Sequence, residues 1–151
     1  MMTLLKLLKK FSELEYKNKR DFIRAYIYTG IFRIYILFMP FKRLAQKMGK
    51  IKSESPDKIN EETFLEAERI SKIVSKASKY TFWKSLCLVQ ALTAQKLLSE
   101  KKIATTIYLG ILKDGKNNMI AHAWTRCGSY FVTGGKNNEI FTVVAKFSNN
   151  L

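Results

Sequence analysis

The apolar residues of this chain change their spacing near residue 100. Between Leu4 and Leu98 they recur three and four positions apart, which is the period of amphipathic helices. Between Ile103 and Phe147 they form short runs rich in Ile, Val, Thr and Tyr that are separated by turns, which is typical of β-strands. Helices followed by strands favour an α+β fold over a doubly wound one. The 151 residues suffice for one such domain with a helical extension.

Capping and turn residues give approximate bounds for these elements. Asp21 is a predicted N-cap for a second helix that Pro40 ends, and Asn60 is a predicted N-cap for a helix that fades at Tyr80. We expect the remaining segments to be helices at residues 4–11, 41–48 and 85–98, a loop at 50–59, and strands of an antiparallel meander at 103–112, 119–126, 130–133 and 140–147.

The chain is strongly basic, with 27 lysines and arginines against 12 acidic residues and a formal charge of +15. An excess of this size indicates an acidic partner, which could be nucleic acid, an anionic membrane surface, or an acidic peptide or protein. No glycine-rich phosphate loop and no recognised nucleic-acid module occurs, so we expect no specific nucleic-acid ligand. The apolar stretch at residues 21–41 contains Arg24 and Arg33, which favours a buried or interfacial helix over a membrane span.

The cysteine and histidine content limits the chemistry of the chain. Two cysteines and one histidine cannot by themselves close a four-ligand zinc site, and two cysteines are too few for a disulfide framework. The lysine-rich N-terminus lacks the features of a secretory signal. We therefore expect a cytoplasmic protein that needs no metal and no cofactor.

Cys87 is the first candidate for catalysis. If Ser85 caps the helix, Cys87 lies in its first turn, beside backbone N–H groups that have no intrahelical partner. This end of a helix favours an anion, and the thiolate is the nucleophilic form of cysteine. The alternative interpretation is a buried structural cysteine among apolar neighbours.

His122 is the second candidate. In a strand it shares a face with Ile120 and Trp124, whereas Ala121 and Ala123 face the other way. The alternative interpretation is a core histidine that is satisfied by one hydrogen bond. A cysteine at a helix start and a histidine on a strand of the following sheet together form a nucleophile–base arrangement.

Several short segments, in this order, carry a family resemblance. They are residues 83–92 around the cysteine, 108–111 and 121–128 around the histidine, and the closing segments 132–135 and 141–145. These segments resemble the leader peptidases of lasso-peptide biosynthesis, which are transglutaminase-like cysteine peptidases related to the C-terminal half of microcin-processing B proteins.

The resemblance implies a transglutaminase- or papain-like helix and antiparallel sheet at residues 60–151, after a basic, apolar helical region at residues 1–50. It implies a hydrolase that removes the leader from a ribosomally made lasso-peptide precursor. Cys87 would attack the carbonyl at the leader–core junction, and His122 would move the proton. The implied partners are the precursor peptide, a small leader-binding protein and the lasso cyclase.

The sequence departs from the family pattern at the third catalytic position. The family's triad usually ends in an aspartate on the strand after the histidine, but no acid occurs between His122 and Glu139. A tight turn would bring Gly134 close to the position opposite His122. The group that orients the imidazole could therefore be Thr133, a backbone carbonyl, Asp114 or Glu139.

Two other functions remain open. A Cys–His acyl-enzyme that is resolved by an amine would make the chain a transglutaminase-type acyltransferase. Alternatively, the charge of +15 and the apolar N-terminal half would suit a non-catalytic basic adaptor. Whether the chain is a peptidase or an acyltransferase, its N-terminal helices could also make a peripheral membrane contact.

Overall fold

The structure, a computed structural model, describes residues 3–149. These residues form helices followed by an antiparallel sheet, so the predicted α+β fold class is confirmed. The elements are α1 (Leu4–Ser12), α2 (Tyr16–Phe38), α3 (Phe41–Met48), β1 (Lys50–Ile51), α4 (Glu61–Lys79), α5 (Cys87–Ser99), β2 (Thr106–Lys113), β3 (Met119–Cys127), β4 (Tyr130–Thr133), a 3₁₀ turn (Asn138–Ile140) and β5 (Thr142–Ser148).

The strand order is β1-β5-β2-β3-β4, which is not a simple meander. Strands β2, β3 and β4 are joined as predicted, but β5 pairs with β2 instead of β4. The chain between Gly134 and Phe141 returns across the sheet, and β5 thereby covers backbone groups that β2 would otherwise leave unpaired. The segment predicted as a loop contributes β1, in which Lys50 pairs with Ser148.

Helix α2 begins earlier than predicted. It starts at Tyr16, so Asp21 lies inside the helix and does not cap it. The Asp21 side chain is fully buried, where it accepts a hydrogen bond from Arg69 at 2.5 Å and pairs with Lys101 at 3.2 Å. The helix ends at Phe38, before Pro40, as predicted. No helix within residues 3–149 is long and apolar enough to cross a membrane.

Helix α4 begins as the sequence predicts. The Asn60 side chain accepts a hydrogen bond from the Thr63 backbone N–H at 2.8 Å. Glu61 and Glu62 occupy the first turn, where the helix dipole favours negative charge. The helix ends at Lys79, which agrees with the predicted loss of helical pattern near Tyr80.

Helix α5 is the centre of the core. Eight of its 13 residues are buried, and they face both other helices and the sheet. Leu97 and Leu98 pack in a cluster with Ile70 of α4, whereas Leu92 packs in a cluster with Ile107 of β2. A helix that is apolar on all sides is held by contacts around its whole circumference. The first residue of this helix is Cys87.

Arg126 fixes the segment between β1 and α4 to the face of the sheet that is remote from α5. Its guanidinium donates to the Ser55 carbonyl at 2.9 Å, to the Asp57 carboxylate at 2.7 Å and to the Tyr108 hydroxyl at 2.9 Å. The Tyr108 ring stacks on Trp124, with 5.6 Å between the ring centroids. This face of the sheet is therefore covered at one end, and His122 lies at the other end.

Candidate active site

Cys87 occupies the position at which α5 begins. The residue before the helix is Leu86, and no side chain caps the first turn. The predicted Ser85 cap is wrong, because the Ser85 hydroxyl is hydrogen-bonded to Thr81 at 2.8 Å. The Ser85 carbonyl accepts a hydrogen bond from the Gln90 amide, also at 2.8 Å. The first-turn backbone N–H groups consequently remain available to an anion, as the sequence argument requires.

The two cysteines differ in environment. Cys87 is half-buried, whereas Cys127 is fully buried at the end of β3. Burial raises the pKa of the Cys127 thiol to about 11, although the charge of Arg126 acts in the opposite direction. A thiol in that state is chemically inert. Of the two thiols, that of Cys87 is therefore the one that can react.

His122 lies on β3 among aromatic rings. Its ring centroid is 5.6 Å from that of Trp124 and 5.0 Å from that of Phe141. The residue opposite it on β2 is Gly110, where an added Cβ would approach the Trp124 ring to 2.8 Å. Glycine at this position leaves room for Trp124 and Phe141 to pack beside the imidazole.

The imidazole of His122 is held by a backbone carbonyl. Its Nε2 lies 2.8 Å from the carbonyl oxygen of Gly134. A carbonyl oxygen only accepts hydrogen bonds, so Nε2 carries the proton and Nδ1 is the nitrogen that can act as a base. Asp114 and Thr133 were among the candidates for the group that orients the imidazole. Asp114 instead accepts hydrogen bonds from backbone N–H groups of its own turn. Thr133 Oγ1 is buried and has no hydrogen-bond partner among the described residues.

Gly134 can make this contact because it is glycine. Its φ is +66°, and an added Cβ would lie 2.5 Å from the Ala123 carbonyl oxygen and 3.1 Å from His122 Nε2. An L side chain disfavours this backbone conformation, and here it would also collide with its neighbours. An aspartate could not replace this residue without displacing the carbonyl, which explains physically why no carboxylate occurs at this position.

The structure brings the elements of Cys87 and His122 together without joining their side chains. Helix α5 packs on the face of β3 that carries Ala123 and Thr125, and the Thr125 hydroxyl donates to the Ala91 carbonyl at 3.2 Å. Because strand residues alternate, the His122 side chain lies on the other face. Within residues 3–149 no hydrogen bond links Cys87 to His122, and Cys87 packs against the cluster on the α5 side.

The edge of β3 is open next to His122. Strand β4 pairs with β3 only through Thr125, Arg126 and Cys127. Beyond Thr125 the edge is lined by the segment that follows β4, which includes Gly134. The imidazole therefore lies beside a part of the β3 edge that is not paired with another strand. The same strand, β3, packs against α5 on its other face.

Other recognisable sites lie elsewhere or are absent from the described part of the chain. Between residues 3 and 149, no group of three or more His, Cys, Asp or Glu side chains is placed to hold a metal ion. Two grooves, of about 430 and about 580 Å³, are lined by residues that include neither Cys87 nor His122.

Comparison with known proteins gives one match. A family model described as Transglutaminase-like superfamily (Transglut_core3) matches residues 35–146, a segment that contains Cys87, His122 and Gly134. No curated protein and no solved structure matches the chain.

Proposed function

The chain belongs to the transglutaminase-like superfamily, and from that membership we propose that it is a cysteine peptidase acting on a ribosomally made peptide precursor. The superfamily implies cysteine-type peptidase or acyltransferase chemistry. The proposed substrate is a lasso-peptide precursor, which a small leader-binding protein presents and which is cut between leader and core. The observation that carries the proposal is the half-buried Cys87 at an uncapped helix start, on a helix that packs against the strand of His122.

The proposed reaction has two steps. In the first step, the Cys87 thiolate attacks the carbonyl carbon of the scissile peptide bond, and the imidazolium of His122 gives its proton to the departing amine. The core is released with a new N-terminus, and the leader remains bound as a thioester. In the second step, His122 takes a proton from water, the resulting hydroxide attacks the thioester carbonyl, and the thiolate leaves. The net change is the addition of one water molecule across one peptide bond.

The contact at Gly134 supports a defined role for each nitrogen of the imidazole. Nε2 donates to the Gly134 carbonyl, so Nδ1 is the atom that exchanges a proton with the Cys87 sulfur. In the family pattern a carboxylate fixes the tautomer, whereas here a neutral carbonyl would do so. We propose that the site operates as a Cys–His dyad with Gly134 as a positioning residue.

The proposal requires His122 and Cys87 to approach each other during the reaction. The His122 side chain lies on the face of the sheet opposite α5, so rotation about its side-chain bonds alone does not carry the imidazole to the sulfur. The edge of β3, together with the Gly134 segment that holds the imidazole, has to move relative to the start of α5. Catalytic hydrogen bonds are often long in the free enzyme and form only with substrate bound. Binding of the precursor between the α5 start and this edge would bring the imidazole to the sulfur.

The test is to express any short precursor peptide and small leader-binding protein found in the neighbouring coding regions, and to measure cleavage of that precursor by this chain. We expect the wild-type chain to release leader and core, and we expect Cys87→Ala and His122→Ala each to abolish cleavage. Cys127→Ala is the matched control, because it removes the other thiol and should leave the rate nearly unchanged. Full activity of either Cys87→Ala or His122→Ala would reject the proposal.

The same assay separates peptidase from acyltransferase. In ¹⁸O-labelled water, hydrolysis puts one labelled oxygen into the new carboxyl group of the leader. If an added primary amine is incorporated there instead, the enzyme is an acyltransferase. A non-catalytic adaptor would show neither product.

A further inference from the structure

Helix α2 has an exposed apolar stripe opposite the side that it buries. Asp21, Ala25, Thr29 and Phe32 are buried against the rest of the domain. On the other side, five large apolar side chains are between 48 and 81 % exposed. They are Ile23, Ile27, Ile34, Leu37 and Phe38. At the helical repeat they fall within an arc of about 100°, so they lie on one side of the helix.

Neighbouring elements also expose large apolar side chains. Phe41 at the start of α3 is exposed, and so are three leucines of α1, Leu4, Leu5 and Leu8. Helix α1 buries none of its own described side chains, but the Phe11 and Phe22 rings pack 5.9 Å apart and link α1 to α2. We call these nine exposed residues the N-terminal apolar face. Exposed large apolar side chains in this number, on three successive helices, mark a contact site.

The loop before Cys87 adjoins this face. Gly30 lies within the arc of the stripe, and an added Cβ there would be 3.2 Å from the Trp83 ring. Trp83 precedes Cys87 by four residues, and its neighbour Phe82 is almost completely exposed at 97 %. The apolar surface therefore continues from α2 toward the loop that leads into the candidate nucleophile.

The surroundings of the face are strongly basic. Between Thr3 and Gly49 the chain has eleven lysines and arginines and three acidic residues. One of these acids is Asp21, which is fully buried and paired. Basic side chains of α1 and α3 are exposed beside the apolar face, namely Lys6, Lys9, Lys10, Lys42, Arg43 and Lys47.

We propose that the N-terminal apolar face docks on a membrane surface that contains anionic phospholipid. Apolar side chains would enter the headgroup–acyl boundary, and the flanking lysines and arginines would contact the lipid phosphates. Two further facts favour lipid over protein. A helix ridge is convex, and a fluid bilayer fits a convex ridge without a preformed groove. A second copy of the chain would bring two equally basic surfaces together, which repels.

The experiment is sedimentation of the full chain with vesicles of phosphatidylcholine, with and without phosphatidylglycerol. We expect strong binding only when phosphatidylglycerol is present, and weaker binding as salt rises. The double variant Ile27→Asn/Phe38→Ser should lower the partition coefficient at least about tenfold. Lys10→Gln should lower it about fivefold. Leu65→Asn is the matched control, because Leu65 is 54 % exposed on α4 and lies outside the face.

Each other outcome overturns the proposal. Absence of binding to phosphatidylglycerol vesicles does so directly. Equal binding of the wild type and the double variant would show that charge alone holds the chain on the vesicle. If the double variant changes the oligomeric state and the wild type ignores vesicles, the face belongs to a second copy. Because no peptide is cut in this experiment, its failure would leave the proposed peptidase reaction untouched.

Discussion

Replacing Gly134 by alanine is the sharpest test of how the imidazole is held. Gly134 has a φ of +66°, and an added Cβ would lie 2.5 Å from a backbone oxygen and 3.1 Å from His122 Nε2. A backbone oxygen cannot swing aside as the end of a flexible side chain can. The peptide at residue 134 must therefore move, and its carbonyl would leave the imidazole.

The cost can be worked from these contacts. An L residue in the left-handed region costs about 1–2 kcal/mol, and the collision at Ala123 adds to that. We expect Gly134→Ala to lower the free energy of unfolding by at least about 2 kcal/mol. In a chain of this size that corresponds to a fall in Tm of about 4–8 °C. If the carbonyl positions the catalytic base, precursor cleavage should fall about a hundredfold as well.

The assay combines thermal unfolding with ¹⁵N NMR of the imidazole. His122 is the one histidine of the chain, so its two ring nitrogens can be assigned without ambiguity. In the neutral ring we expect Nε2 to carry the proton in the wild type, and a mixture of tautomers in Gly134→Ala. Gly115→Ala is the control, because nothing lies within 4 Å of an added Cβ there. An unchanged tautomer together with an unchanged Tm in Gly134→Ala would show that the Gly134 carbonyl does not hold the imidazole.

Three further outcomes follow from the structure. Iodoacetamide should modify Cys87 in the folded protein and spare Cys127, because the Cys127 thiol is buried and its pKa is raised to about 11. Peptide mass spectrometry checks this, and modification of Cys127 with Cys87 unmodified would contradict it. The hydrogen bond from Arg69 lowers the pKa of Glu66 to about 2 from 4.5, so the stability that ionised Glu66 contributes should be lost as pH falls through that window. Glu66→Gln should abolish that part of the pH dependence of Tm, and a slope identical to that of the wild type would contradict the assignment. Asn60→Ala should lower stability by about 1 kcal/mol in chemical denaturation, and no change would show that the cap is dispensable.

Local signals in the sequence predicted local structure well. The cap of α4 could be predicted because it is local: the Asn60 side chain accepts a hydrogen bond from the N–H of Thr63, three positions further on. Asp21 also looks like a cap, but its true partners, Arg69 and Lys101, are distant in the sequence. A carboxylate that is buried with two cations gains more from those pairs than from a helix end. Sequence patterning carries no information on such long-range pairing, and the pairing of β5 with β2 was missed for the same reason.

The candidate site was predicted only in part. The helix pattern gave the start of α5 near Cys87, and strand alternation gave the shared face of His122 and Trp124, which the ring contact at 5.6 Å bears out. That the two residues act as a catalytic pair stays a prediction. The group that holds the imidazole could not be chosen from the sequence, because every residue has a carbonyl. The usable signal was the glycine that follows β4, since Gly134 is where the backbone can turn its oxygen toward His122.

A carbonyl in place of a carboxylate changes what the rest of the site must supply. The Gly134 oxygen can fix the tautomer of His122, but as a neutral dipole it stabilises an imidazolium less than a carboxylate would. In the proposed dyad, stabilisation of the thiolate–imidazolium ion pair therefore has to come mainly from groups around the Cys87 sulfur. The uncapped first turn of α5 supplies that stabilisation, because Cys87 is the first residue of the helix and no side chain caps its N–H groups. A capping side chain at residue 86 would take those donors, so the absence of a cap at Leu86 is consistent with a site whose charge is stabilised at the helix end.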